Sequence, residues 1–390
     1  MNLRLDGEAA QTDASLASGA PEAAGVLMIF LEPAPYIRAF VEAARRIWPG
    51  RIDVLYAAAQ MTQNWDFGGG GPNDTVLSAS RPLAMAEIKS RIASGRYALL
   101  HLAGWGHPLL WRAMLFARGR IPVTVQSDTP APRGEPVWRR LAKRLLYGVL
   151  FRMPAMFTPA GTPQAEYIRS FGVPASRIRI AQLAVDVQDI QKVLRMPGRL
   201  AAVRARLGLS PDCVAILYVG RLEPHKGIDD MMEAFTELVR AVPQVRLLIA
   251  GEGTLRDRII HAAVATPSVR YLGRLMGDDL WEAYAAADIC IVPSRFEPWG
   301  LVVNEAMAAG LPVIVTDCVG SAPDLVRDGS TGIVVPTASP VDFTRAMAKL
   351  SMQPELRQSM GRLASEAIAA WTPANQAKNT LAAWREVLSA

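Results

Sequence analysis

The sequence predicts an α/β protein built from two doubly wound domains. In both halves, short runs rich in valine and isoleucine alternate with segments whose apolar residues recur at helical spacing. Strands that are apolar throughout and separated by helices are typical of parallel sheets covered on both faces. The length of 390 residues is too great for one ordinary core and suits two. With 51 % hydrophobic residues the chain can fill both cores, so wholesale disorder is excluded.

The first half shows the less regular version of this pattern. We expect an N-terminal domain over residues 25–190, preceded by a flexible tail over residues 1–24. Its predicted strands lie at 25–31, 51–57, 96–102 and 121–128, and its clearest helices lie at 36–47 and 109–119.

The second half is more regular, and a polar stretch with proline and glycine near 188–210 marks its start. We expect a C-terminal domain over residues 208–365. A helical segment over 366–390, with Trp371 and Trp384 as anchors, should pack back on the N-terminal domain. The predicted strands lie at 214–220, 245–251, 269–273, 289–294, 312–317 and 332–336. Such folds bind ligands beyond the carboxyl ends of their strands.

Composition excludes several classes of protein. The three cysteines have neither close pairing nor metal-type spacing, which argues against a disulfide framework and a zinc site and favours a reducing cytoplasm. No run of about 18 apolar residues occurs, as a membrane span requires, and the first residues do not resemble a signal peptide. Residues 1–195 contain 23 lysines and arginines against 15 acids, whereas the remainder is nearly balanced. This asymmetry favours an anionic partner for the first half.

Two loops of the second half carry cations and glycines. In VGRLEPHKGID (219–229), Arg221 and Lys226 lie between a predicted strand and a helix start. Two cations in that place can hold a diphosphate, although a solvated basic turn is the alternative. The AGEGTL turn (250–255) alone is weak support, because any tight turn favours glycine.

A third loop adds two carboxylates at the same predicted sheet edge. Glu297 and Glu305 are eight residues apart, with Gly300 between them and a helix beginning near Leu301. The amides at such a helix start attract anions. One carboxylate can therefore face the head of a ligand while the other binds a more distant hydroxyl.

These motifs resemble the C-terminal domain of the retaining glycosyltransferases of family 4 (glycosyl transferases group 1), which have a GT-B fold. The similar elements are the GR-x4-KG loop, the E-x7-E element before AMAAGLPVIVTD, and GSAPDLVRDGSTGIVVP, together spanning about residues 213–340. The resemblance implies two Rossmann-like domains facing each other across a cleft, with a UDP- or GDP-linked sugar as donor. It assigns the diphosphate to Arg221 and Lys226, the ribose hydroxyls to Glu305, sugar hydroxyls to Glu297, and the phosphate or sugar to the amides around Gly300, Leu301 and Val302.

The N-terminal half resembles the family less closely. LLHLAGWGHPLLW is similar to the segment in which the family carries a histidine facing the donor, and here His101 and His107 are both candidates. We favour His107, because it follows the strand end; His101 lies within an apolar strand and can instead be a core residue or face the acceptor. Asp128, at another strand end, is a candidate for the acceptor side or a helix cap. The glycine pair usual after the first strand is replaced by EPAP (32–35).

The segment 136–152 predicts an amphipathic helix. Its apolar residues (Trp138, Leu141, Leu145 and Val149) share one side and its basic residues (Arg139, Arg140, Lys143 and Arg144) lie on the other. One interpretation is a domain helix with a solvated basic face, and the other is a patch attracted to anionic lipid. Nucleic acid is disfavoured, because no aromatic-rich binding motif accompanies it.

Together these observations predict a glycosyltransferase that moves a sugar to an acceptor hydroxyl with retention of configuration. The acceptor is expected to be a saccharide or lipid-linked precursor of a bacterial surface polysaccharide or glycolipid, at the inner face of the plasma membrane. Because no DxD-like motif lies near the predicted site, we expect no metal and no other cofactor. A non-catalytic nucleotide-sugar-binding subunit and a nucleotide-sugar epimerase are the alternatives.

Overall fold

The computed structural model describes residues 24–59, 71, 73–194, 196 and 198–390. Apart from Ala24, the tail predicted over residues 1–24 lies outside the described residues. Within the described residues, none of the helices combines the length and the apolar character that crossing a bilayer demands.

The N-terminal domain is a six-stranded parallel sheet with helices on both faces. The strand order is β3-β2-β1-β4-β5-β6. Its elements are β1 (Val26–Phe30), α1 (Pro35–Ile47), β2 (Ile52–Tyr56), β3 (Asp74–Val76), α2 (Arg81–Ala93), β4 (Leu99–Ala103), α3 (Pro108–Ala117), β5 (Val123–Ser127), α4 (Val137–Leu150), β6 (Met156–Pro159) and α5 (Thr162–Arg169). The helix that follows, α6 (Gln188–Leu194), packs on the C-terminal domain. Strands β3 and β6 are not among the predicted strands, because three and four residues at the sheet edges are too few to show a period.

The C-terminal domain repeats this architecture. Its strand order, β9-β8-β7-β10-β11-β12 when counted from the far edge, is that of the first sheet. Its elements are α7 (Arg199–Arg206), β7 (Val214–Val219), α8 (Ile228–Ala241), β8 (Val245–Ala250), α9 (Arg256–Ala265), β9 (Val269–Gly273), α10 (Gly277–Ala286), β10 (Ile289–Val292), α11 (Leu301–Ala308), β11 (Val313–Thr316), α12 (Ala322–Leu325), β12 (Gly332–Val335), α13 (Pro340–Met352), α14 (Pro354–Ile368) and α15 (Pro373–Leu388).

Both sheets are covered on both faces, which explains their continuous apolar strands. Every residue of β1 and of β10 is buried, and burying a large aliphatic side chain contributes about 1.5–3 kcal/mol. The predicted fold class is therefore confirmed. In each sheet the strand order reverses between the first and fourth strands, at β1 and β4 and at β7 and β10. Ligands of doubly wound sheets bind at this switch point.

The last helix packs on the other domain. Helix α15 lies against α1, and its Trp384 is fully buried. The Trp384 ring meets Trp48 edge-on at 5.7 Å, and its Nε1 lies 3.3 Å from His101 Nδ1. Helix α15 thus completes a core of the N-terminal domain.

Helix α4 exposes both of its sides. Its basic side is solvated, as the interpretation of a domain helix requires, because Arg139, Arg140 and Arg144 are exposed. Its apolar side also faces solvent, and all four residues of that side are exposed: Trp138, Leu141, Leu145 and Val149. Contact with the domain is made instead by Tyr147 and by Phe151 just after the helix. These two rings stack with centroids 5.0 Å apart, and Phe151 is buried.

Candidate active site

Two loops at the switch point of the C-terminal sheet meet in an ion pair. Lys226 lies in the turn after β7 and Glu297 in the loop after β10, and Lys226 Nζ is 2.5 Å from Glu297 Oε2. The same carboxylate oxygen accepts a hydrogen bond from Ser294 Oγ at 3.2 Å. The two side chains are only 13 % and 15 % exposed, so water screens the pair weakly. The fold thus brings together two side chains that are 71 residues apart in the sequence.

The turn that carries Lys226 depends on glycine. Gly227 has φ +70°, which side chains rarely allow, and a Cβ there would lie 1.9 Å from the Pro293 carbonyl oxygen. The backbone of this turn therefore lies directly against the end of β10. This contact brings Lys226 to the loop of Glu297.

Arg221 occupies the start of the same turn. Its side chain is exposed, and its carbonyl accepts a hydrogen bond from Tyr218 Oη at 2.7 Å. His225, next to Lys226 in this turn, has a pKa below its usual value. Partial burial is the main cause, and the positive charges of Lys226 and Arg221 add to it. The turn is therefore a cationic surface at the sheet edge.

The loop of Glu297 leads into α11. Gly300 precedes the helix with φ +90°, so Leu301 and Val302 occupy the first turn, where amides lack helical acceptors. A neighbouring segment braces the loop, because the Gly320 amide donates to the Glu297 carbonyl and the Ser321 amide donates to that of Trp299, both at 2.9 Å. The backbone at this helix start is thereby held in place.

Glu305 lies one turn further along α11. It accepts a hydrogen bond from Tyr284 Oη of α10 at 2.6 Å. Surrounding protein displaces water from the half-buried carboxyl and raises its pKa from 4.5 to about 7, although the bond from Tyr284 opposes this shift. The second oxygen, Oε1, can accept from a ligand hydroxyl.

The N-terminal domain contributes carboxylates to the opposite wall. Asp128, at the end of β5, is open to solvent yet crowded by protein, and this dehydration raises its pKa, with a smaller effect from Glu297. The charge of Glu297 therefore reaches Asp128 of the other domain. Asp128 and Glu32 in turn add to the burial that raises the pKa of Tyr36, so these three groups are neighbours.

The two candidate histidines occupy different environments. His101 is completely buried; its Nδ1 lies 2.9 Å from Thr124 Oγ1, and burial lowers its pKa to about 4. It packs against Phe30, Phe40 and Trp384, so its placement on the acceptor side is wrong. His107 caps α3, accepting from the Leu109 amide at 3.2 Å, and is half-exposed at the carboxyl edge of the sheet. Its pKa is lowered by burial and by Arg81.

Several residues of the interdomain contact were not identified from the sequence. Asp324 Oδ2 accepts from the Thr162 amide at 2.8 Å and Oδ1 accepts from Thr162 Oγ1 at 2.5 Å, so a carboxylate of one domain caps helix α5 of the other. Gln164 Nε2 donates to the Pro298 carbonyl at 2.7 Å, directly beside Glu297. The only sequence signal for these contacts is the Gly161–Thr162 helix start, which shows a cap but not its partner.

The chain is similar in sequence to a family of known proteins. Residues 202–367 match the family described as Glycosyl transferases group 1. The chain is 30 % identical over 280 residues to the D-inositol 3-phosphate glycosyltransferase of Streptomyces bingchenggensis, which covers 69 % of this chain and 59 % of that relative. The enzyme of the same name from Saccharomonospora viridis is also 30 % identical, over 70 % of this chain and 63 % of the relative. The chain belongs to the group 1 glycosyltransferases.

Solved structures extend the similarity of this group 1 glycosyltransferase to nearly its whole length. Sucrose-phosphate synthase of Thermosynechococcus elongatus superposes with a TM-score of 0.73 at 21 % identity, covering 93 % of this chain and 98 % of that one. HepE of Anabaena, solved with UDP and glucose, gives 0.69 at 16 % identity, over 92 % and 99 %. These likenesses confirm the GT-B fold. The matches to the two curated relatives span less than two thirds of their length, at 59 % and 63 %.

Proposed function

We propose that this protein transfers a sugar from a nucleotide-diphosphate sugar, linked to UDP or GDP, to an acceptor hydroxyl with retention of configuration. The observation that carries the proposal is the Lys226–Glu297 pair beside the start of α11. The D-inositol 3-phosphate glycosyltransferases and the UDP complex of HepE support it as relatives and structural neighbours.

The main chemical demand is stabilisation of the leaving group. Cleavage of the glycosidic bond leaves a diphosphate that gains negative charge while the sugar becomes cation-like. Arg221 and Lys226 are placed to stabilise that charge, and the amides of Leu301 and Val302 point from the same edge. Fixed charges of this kind act without reorganising during the reaction. We propose that they suffice without a metal or other cofactor.

Glu297 would position the sugar. One of its oxygens is held by Lys226 and Ser294, so the other can accept from sugar hydroxyls. On this proposal Glu297 does not attack the sugar carbon. The acceptor approaches on the face that the diphosphate leaves, and a phosphate oxygen takes its proton. His107, at the start of α3 in the N-terminal domain, would face the donor from the other side of the cleft.

We propose a hydroxyl-rich acceptor. Asp128 of the N-terminal domain is exposed and within electrostatic reach of Glu297, and carboxylates accept hydrogen bonds from hydroxyls. The names of the curated relatives favour a polyol phosphate, whereas the basic first half favours a lipid-linked precursor of a surface glycoconjugate.

The free cysteines Cys213, Cys290 and Cys318 fit a reducing cytoplasm.

A panel of nucleotide sugars, each incubated with inositol phosphate and with lipid-linked saccharides, tests the proposal through release of nucleoside diphosphate. Glu297→Ala should lower turnover at least about tenfold, equivalent to roughly 1.4 kcal/mol of transition-state stabilisation. Glu237→Ala, on the exposed face of α8, is the control and should match the wild type. Wild-type turnover in Glu297→Ala would remove Glu297 from the site. Nucleotide-sugar binding without release from any pair would favour a non-catalytic binding subunit.

A further inference from the structure

Helix α4 presents an apolar stripe to solvent. The stripe consists of Trp138, Leu141, Leu145 and Val149, which are 65 %, 56 %, 77 % and 64 % exposed. Val137 and Leu146 beside it are also exposed. Monomeric proteins seldom leave so many large apolar side chains uncovered along one helix, and such patches mark interaction sites.

Arginines flank the stripe, and the helix contains no acid. Arg139, Arg140 and Arg144 are exposed on α4, as is Arg152 just beyond it, while the sequence Val137–Leu150 contains neither aspartate nor glutamate. The Arg139 guanidinium lies over the Trp138 ring at 5.2 Å. Among the residues that the structure describes, only Lys143 of these cations is neutralised, by an ion pair with Glu135. Apolar residues bordered by unneutralised cations complement a surface with negative headgroups above hydrocarbon.

A basic pocket opens at the end of the helix. It has a volume of about 390 Å³, and Arg144, Arg152 and Arg177 line it together with Leu145, Val149 and Phe171. No carboxylate lines it. Arg177 is anchored, because its Nη2 donates to the carbonyls of Phe151 and Pro154 at 2.5 and 2.6 Å. Its Nε is buried and lacks a hydrogen-bond partner within the described part of the chain.

The stripe begins at the cleft. Arg133, four residues before α4, reaches the C-terminal domain, where its Nη1 lies 2.8 Å from Asp317 Oδ2. The first turn of α4 is therefore near the rim of the cleft between the domains. A flat surface lying on α4 would pass beside the entrance to the proposed active site.

We propose that α4 is a docking surface for an anionic phospholipid bilayer. The stripe enters the interface between headgroups and acyl chains, the arginines contact lipid phosphates, and the pocket of Arg144, Arg152 and Arg177 accepts one headgroup phosphate. Docking holds the cleft beside a membrane-borne acceptor. This last step rests on the proposed function, whereas the docking itself does not.

Flotation of the full chain with vesicles tests the proposal. The wild type should float with vesicles of phosphatidylcholine and phosphatidylglycerol and stay behind with pure phosphatidylcholine, and added salt should weaken the association. The double variant Leu141→Asp/Leu145→Asp and the triple variant Arg139→Gln/Arg140→Gln/Arg144→Gln should each lower the partition coefficient at least about tenfold, or roughly 1.4 kcal/mol. Arg152→Gln should weaken binding to anionic vesicles alone.

Matched changes in the C-terminal domain are the control. Val264, 82 % exposed on α9, and Arg256 and Arg258 of the same helix, which pair with Asp257 and Asp229, are surface positions that face no proposed partner. Val264→Asp and Arg256→Gln/Arg258→Gln should float as the wild type does. Circular dichroism and nucleotide-sugar binding, measured on every variant, show whether the fold and the donor site are intact.

Three outcomes would overturn the docking surface. The wild type fails to float, the α4 variants float as well as the controls, or ultracentrifugation shows a dimer that Leu141→Asp/Leu145→Asp dissociates. In the third case the stripe is an interface between two copies. Flotation without nucleoside diphosphate release would instead contradict the proposed function and leave the docking surface standing.

Discussion

At the scale of single residues, the donor site consists of groups whose properties come from their partners. Glu297 is held by Lys226 and Ser294, and Glu305 by Tyr284. Burial raises the pKa of Glu305 to about 7, so this carboxyl titrates in the physiological range.

Donor binding should depend on the protonation of Glu305. In the donor complex that we propose, ribose hydroxyls would donate to the ionised Glu305 carboxylate. Protonation would remove an acceptor from this carboxyl, so affinity should rise as pH increases through about 7. A group with this pKa is about ten times more ionised at pH 8 than at pH 6, which predicts a roughly tenfold gain in affinity. Calorimetry with a nucleotide sugar, whose own phosphates do not titrate in this range, measures it.

Glu305→Gln provides the control, because its amide has no charge to lose. The affinity of this variant for the nucleotide sugar should be weak and should not change with pH. An unchanged pH profile in this variant would show that another group is responsible.

At the scale of elements, the turn between β7 and α8 is defined by close backbone contact. Gly227 and Gly273 have nearly the same φ, +70° and +71°, but only Gly227 lies against another backbone. A Cβ at Gly273 would meet nothing within 4 Å. A comparison of alanine substitutions at these two positions therefore distinguishes backbone strain from a steric clash of the added Cβ.

Gly227→Ala should destabilise the protein more than Gly273→Ala. The strain of a left-handed alanine costs about 1–2 kcal/mol and applies to both, whereas only Gly227→Ala also pushes the Pro293 carbonyl away. Urea unfolding measures the difference, and calorimetry should show weakened donor binding for Gly227→Ala alone. Equal loss of stability in both variants would mean that the turn tolerates a wider approach.

At the scale of the whole molecule, the two domains are connected through α5. Asp324 caps this helix from the other domain, and Gln164 on the same helix contacts the loop of Glu297. The surface pair Arg133–Asp317 adds little, because exposed ion pairs contribute at most about 1 kcal/mol. The relative position of the domains is therefore coupled to the donor loop.

Asp324→Ala should loosen the domain arrangement. Removal of a helix cap costs about 0.5–2 kcal/mol, and here that loss falls on the contact between domains. We expect a larger radius of gyration in small-angle X-ray scattering and lower turnover. Asp257→Ala, at an exposed position on α9, should change neither. Superimposable scattering curves for Asp324→Ala and the wild type would contradict the coupling.

Elements and turns formed by neighbouring residues could be predicted from the sequence, whereas contacts between residues far apart in the chain could not. A strand such as VAILYV and the turn after it lie within a few residues, so β7 and the position of Arg221 and Lys226 could be inferred. The partner of Glu305 is 21 residues away and that of Asp324 is 162 residues away, and no spacing rule relates them. Periodicity distinguished the apolar side of α4 from its basic side. It did not show which residues contact the domain, because that contact is made by Tyr147, which stacks on Phe151 beyond the helix.

Helix α15 has a consequence for biosynthesis. The core around Phe40 and Trp48 is closed by Trp384, so the N-terminal domain stays unfinished until α15 has been synthesised. The core of the C-terminal domain, by contrast, is built from residues that precede α15. A chain truncated after residue 372 and released from the ribosome should therefore be cleaved by protease in its N-terminal domain and resist cleavage in its C-terminal domain.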